Sequence, residues 1–113
     1  MKKVLVSLIA LTSAALITSS AVAESGWIVT AKVIRVVGTI NGGINVRLSP
    51  ELTSCVSQSG YGPNYASLYP SHAGKDKIAS ILLAAYLSEK PVAIYLTDSN
   101  CTIGEVELGG RAQ

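Results

Sequence analysis

Trp27-Ile28-Val29-Thr30-Ala31-Lys32-Val33-Ile34-Arg35-Val36-Val37-Gly38-Thr39-Ile40 is followed by Asn41-Gly42-Gly43 and then by Ile44-Asn45-Val46-Arg47-Leu48-Ser49-Pro50. The first run is rich in β-branched residues and has no Pro, the composition of a strand. Its apolar residues fall on both alternations: Val29, Ala31, Val33 and Val37 on one, interrupted by Arg35, and Ile28, Ile34, Val36 and Ile40 on the other. A long strand with two apolar faces is expected to bend and change the side it turns to the core, and Gly38 is the expected place for a kink. Asn-Gly-Gly tolerates positive φ and signals a hairpin. Ile44, Val46 and Leu48 alternate with Asn45 and Arg47 in a half-buried second strand that stops at Ser49-Pro50.

Beyond this hairpin, Glu51 to Asn64 dissolves into Ser, Thr, Gly and Pro, the longest irregular segment and of a kind that is often functional or mobile. Ala66 to Tyr69 reads as a short third strand before Pro70. Ile78, Ile81, Leu82 and Ala85 recur at helical spacing, and Leu83, Tyr86 and Leu87 broaden the stripe, so this helix is expected to be largely buried. Ser71 or Asp76 is the expected cap, and Lys90-Pro91 the stop. Val92, Ile94 and Leu96 form a fourth strand; Asp98-Ser99-Asn100 turns the chain; Cys101 opens a fifth that carries Val106 and Leu108. Three strands, a helix and two strands predict a β-rich α+β domain: a small five-stranded OB-like barrel with one buried helix between strands three and four. An α+β sheet with one packed helix is the alternative.

Upstream of this domain, residues 1–23 read as a cleaved signal peptide: Lys2 and Lys3, an apolar run from Val4 to Ile17, and Ala21-Val22-Ala23 as an A-x-A cleavage site. The expected mature chain is a single domain, 24–113, exported to the periplasm or secreted, with no stable membrane insertion after cleavage. The formal charge of +2 includes Lys2 and Lys3, so the remainder balances seven basic against seven acidic residues. A neutral chain with dispersed basic residues lacks a phosphate-binding patch, which argues against nucleic acid as a partner. Cys55 and Cys101 are the only cysteines and allow one intramolecular pairing. In an oxidising compartment a structural disulfide is the expected outcome, worth about 4 kcal/mol in the chain-entropy model. A redox or metal role lacks a C-x-x-C, and His72 is the single histidine.

Gly43-Ile44-Asn45-Val46-Arg47-Leu48-Ser49-Pro50 and Leu68-Tyr69-Pro70 resemble a group of small exported proteobacterial proteins of unassigned function. The apolar helix, Val92-Ala93-Ile94-Tyr95-Leu96 and Cys101-Thr102-Ile103-Gly104-Glu105-Val106 continue the resemblance. More distantly, leader, disulfide and strand order are similar to the OB-fold B subunits of bacterial AB5 toxins, which are glycan-binding pentamers. The first resemblance implies a fold and a compartment but no catalytic residues. The second is topological analogy.

The expected function is accordingly a non-catalytic binding or interaction module for a protein or a glycan, without cofactor or metal, and with self-association open. Tyr61, Tyr65 and Tyr69 recur every four residues, and tyrosine suits sugar stacking and protein hot spots. Tyr61, Asn64 and Tyr65 are the candidate contacts. The alternative for Tyr65 and Tyr69 is filling the barrel mouth. Trp27 covers an open barrel end or joins a binding surface. A second function class is an envelope structural or inhibitor protein acting through a strand edge. A small hydrolase is the weakest: it would need His72 against a carboxylate and a serine, or paired work by Glu105 and Glu107, which share a strand face.

Overall fold

The computed structural model describes residues 25–110. The expected leader, 1–23, and the expected first mature residue, Glu24, lie outside the described residues. Strands β1 (Gly26–Gly38), β2 (Ile44–Ser49) and β3 (Tyr65–Leu68) precede helix α1 (Lys75–Ser88), and β4 (Val92–Leu96) and β5 (Ile103–Leu108) follow it. The result is a β-rich α+β domain whose five strands form one antiparallel sheet in the order β3-β2-β1-β4-β5. Its two edges meet at a single parallel bridge, Ser67 to Thr102, with the Ser67 N–H donating to the Cys101 carbonyl at 3.0 Å. The sheet is therefore not closed by a ladder.

The hairpin turn forms where Asn-Gly-Gly predicts it. Gly42 takes φ of 92°, the left-handed conformation glycine adopts without penalty. Asn41 Oδ1 accepts from the Gly43 N–H at 3.0 Å and holds the turn from within.

β1 does bend, but not at Gly38, which is simply its last residue. The pairing register shifts between Ile28 and Ala31 against β4 and between Val33 and Arg35 against β2. Each extra residue resets the alternation, so Ile28, Ala31, Val33 and Val36 all reach the core from one strand. The second shift leaves Ile34 turned out and exposed.

Helix α1 packs against β1 and β5. It buries only Ile78, Leu82 and Ala85, so the expectation of a largely buried helix is corrected. Leu83, Tyr86 and Leu87 are exposed because the sheet covers just one stripe of the helix. Neither Ser71 nor Asp76 caps it; Gly74 occupies that position with no side-chain cap. His72 acts there instead. Its Nδ1 accepts from the Gly74 N–H at 2.8 Å, which leaves Nε2 protonated and donating to the Gly104 carbonyl at 2.8 Å. The imidazole thereby ties the helix start to β5.

Candidate functional site

The segment between β2 and β3 contributes Leu52 and Cys55 to the core and, around Gln58, covers the outer face of those strands. Val46, Leu48, Ala66 and Leu68 face inward, so strand alternation turns Asn45, Arg47, Tyr65 and Ser67 outward. Asn45 and Ser67 are cross-strand neighbours and fully buried, which requires the segment above them to supply partners. Gln58, at the head of a short 3-10 turn, supplies them. Asn45 Nδ2 donates to the Gln58 carbonyl at 3.0 Å, the Gln58 N–H donates to Ser67 Oγ at 3.0 Å, and Ser67 Oγ donates to Asn45 Oδ1 at 2.7 Å. The Gln58 side-chain amide donates toward Ile44 O, Leu68 O and Asn45 Oδ1 at 3.1–3.2 Å and accepts from Asn41 Nδ2 at 2.9 Å.

Further ties hold the segment down. Cys55 and Cys101 form the expected disulfide, with Cα atoms 5.2 Å apart. The Val56 N–H donates to the Asn100 carbonyl, the Cys55 N–H to Pro63, and Ser57 Oγ to Gly62. What reads in sequence as a loose tract is fastened to both ends of the sheet, with no buried side-chain polar atom left unpaired among the described residues.

The candidate contacts separate under this geometry. Tyr65 is only 5% exposed and lies on the outer sheet face, its hydroxyl accepting from Arg35 Nη1 at 3.0 Å. Asn64 is half-buried, and its amide donates to the Leu52 carbonyl at 2.7 Å. Tyr61 is 44% exposed, and its ring stands edge-on to Tyr65 with centroids 5.6 Å apart. Tyr61 thus faces solvent with the buried Tyr65 ring against it, while Asn64 is tied to Leu52. Val56, 63% exposed, is a second apolar side chain presented by the same segment.

Two basic residues complete this surface. Arg35, Arg47 and Tyr65 lie in one cross-strand row across β1, β2 and β3. Both Arg47 Nε and Nη2 donate to Glu51 Oε2. That hydrogen bond and the carboxylate charge hold the guanidinium above its ordinary pKa. Sequence reading missed Arg35 as part of a site, although its interruption of an apolar alternation marks the outward face. It also missed Gln58, which has no periodic neighbours to announce it.

The remaining candidates lie elsewhere. Trp27 packs against Tyr95 on the outer face of β1 and β4, with centroids 5.3 Å apart. Asp98 is engaged by the β4–β5 turn, accepting from the Asn100 and Thr102 N–H groups and the Thr102 hydroxyl. Glu105 and Glu107 project from the outer side of β5, opposite Tyr95 and Ala93. Among the described residues no three His, Cys, Asp or Glu side chains converge on one point, and no helix is long and apolar enough to cross a membrane. No family model, curated protein or solved structure matches the chain.

Proposed function

We propose that this protein is an exported, non-catalytic binding module that recognises a protein or a glycan through the segment from Leu52 to Tyr69, with Tyr61 as its central contact. One observation carries the reading: an exposed tyrosine and Val56 stand on a segment already fixed by a disulfide and a buried amide network. Holding a contact surface in place before the ligand arrives removes the entropic cost of ordering it on binding. Arg35 and Arg47 beside Tyr65 add donors suited to a carboxylate or hydroxyl-rich ligand.

In this reading the domain is an OB-like barrel. Its support is the strand order β3-β2-β1-β4-β5, a β1 with two register shifts that serves both halves of the sheet, and edges that approach at Ser67 and Thr102. The disulfide agrees with an oxidising compartment, in line with the small exported proteobacterial proteins that the chain resembles. Recognition through a strand edge is the weaker reading, since β5 carries Glu105 and Glu107, charges that discourage edge pairing. A non-catalytic role is favoured because His72 has both ring nitrogens engaged by backbone groups.

The test compares wild-type protein with Tyr61→Ala and Val56→Ala in pull-downs from envelope extract and on glycan arrays. Tyr61→Ala is expected to weaken the retained ligand by at least about tenfold while the fold survives. Unchanged affinity for every ligand in both variants would sink the proposal.

A further inference from the structure

Helix α1 presents a surface that its own chain leaves uncovered. Its charges, Lys75, Asp76 and Lys77, all sit in the first turn, and Ile78 to Ser88 carries none. A helix apolar around its whole circumference belongs in an interior. Here Leu83, Tyr86 and Leu87 face solvent, Leu87 at 71% exposure. Exposed Ser80 and Ala84 lie on the side of Leu83 and Leu87, at helical spacings of three and four, and leave room between them for incoming side chains.

The β1 bulge enlarges this surface. By turning Ile34 outward it forms a groove of about 490 Å³ lined by Lys32, Val33, Ile34, Tyr86, Leu87 and Glu89. Lys32 and Glu89 stand 4.0 Å apart at this groove, 55% and 80% exposed at their side chains. A partner surface of a single sign would be repelled by one of the two. A surface with one cation beside one anion is complementary to a second copy of itself, because a twofold axis sets Lys32 of each copy against Glu89 of the other.

We propose that the face made by α1 and the Ile34 bulge is a self-association surface, on which two copies pack α1 against α1 about a twofold axis. Leu87 of each copy enters the groove beside Ile34 of the other, and the two Lys32–Glu89 contacts close the rim. This surface is built from other residues than Tyr61 and its neighbours, so its test is independent of the ligand.

The experiment is light scattering on the purified protein across a dilution series. Wild type is expected to double its mass with concentration, and Leu87→Glu to move that transition at least about tenfold higher, with an unchanged thermal melt at concentrations where both are monomers. Lys32→Glu and Glu89→Lys are each expected to weaken association roughly three- to tenfold, and an equimolar mixture to restore it, since one copy then carries two carboxylates and the other two amines. A wild type that stays monomeric overturns the proposal. So does a Leu87→Glu transition at the wild-type concentration, or a mixture no stronger than its components. Sedimentation of wild type with phosphatidylglycerol vesicles, abolished by Leu87→Glu, would reassign the face to a lipid surface.

Discussion

Truncating Gln58 is expected to loosen the segment over β2 and β3 more than removing any residue that segment exposes. Gln58→Ala deletes a buried amide that donates toward Ile44 O, Leu68 O and Asn45 Oδ1 and accepts from Asn41 Nδ2. The amide has two hydrogens, so its three donor contacts share two protons. Three hydrogen bonds at about 1 kcal/mol each give a loss on the order of 3 kcal/mol, with the cavity adding to it. For a domain of this size that is roughly 12–24 °C in Tm. Gln58→Glu keeps the volume but offers no donor to those three acceptors, so it is expected to cost at least as much.

Gly43 turns this into a sharper test. A Cβ built there would lie 2.2 Å from Gln58 Oε1. Gly43→Ala alone should therefore destabilise by about 1–3 kcal/mol through overpacking. Combined with Gln58→Ala, the same methyl enters the vacated space and its cost disappears. The double-mutant cycle is expected to show a coupling of about 1–3 kcal/mol, with the pair more stable than the sum of the singles predicts. Urea denaturation followed by circular dichroism measures all four species. Additive effects within about 0.5 kcal/mol, or a Gln58→Ala cost below that figure, would refute the anchoring role.

The remaining predictions concern the other two fasteners. Replacing Cys55 and Cys101 together by Ala removes a cross-link between residues 46 apart, and is expected to lower stability by about 4 kcal/mol in equilibrium denaturation. A reductant should reproduce most of that loss in wild type and none in the double variant. His72→Ala removes the acceptor for Gly74 N–H and the donor to Gly104 O, an expected loss of about 1–2 kcal/mol. Hydrogen exchange at the Gly74 amide should accelerate in the same variant, and unchanged protection there would contradict the assigned contact.

The hairpin is legible in sequence because alternation and Asn-Gly-Gly are local signals, each resting on neighbours a few residues away. The two apolar faces of β1 likewise announce a bend. They do not locate it, since Val33 and Ile34 are equally apolar and only pairing with β2 decides which one turns out. The helix is legible from its spacing, but its burial is not. An apolar pattern states what a helix can bury and is silent on how much cover the rest of the fold supplies, so Leu83 and Leu87 read as core and emerge exposed. For the candidate site, Tyr61 is visible as an aromatic in a Gly-rich tract. Gln58 is not, because its partners Asn45 and Ser67 lie 13 and 9 residues away on two strands whose outward faces must first be known.

The placement of these residues separates holding the segment from presenting it. Gln58 and Tyr65 are engaged by the strands, Cys55 by Cys101 ahead of β5, and Asn64 by Leu52 within the segment itself, whereas the Tyr61 and Val56 side chains are exposed. Substituting the first set changes how often the segment is in place, and therefore weakens every ligand in proportion to that population. Substituting the second set leaves the population alone and changes only what the surface can touch. A binding loss from Gln58→Ala that stabilising conditions reverse, beside one from Tyr61→Ala that they do not, is the pattern a preorganised recognition segment produces. A segment that bound through mobility would give the opposite order, with the loosened variant tolerating its ligand best.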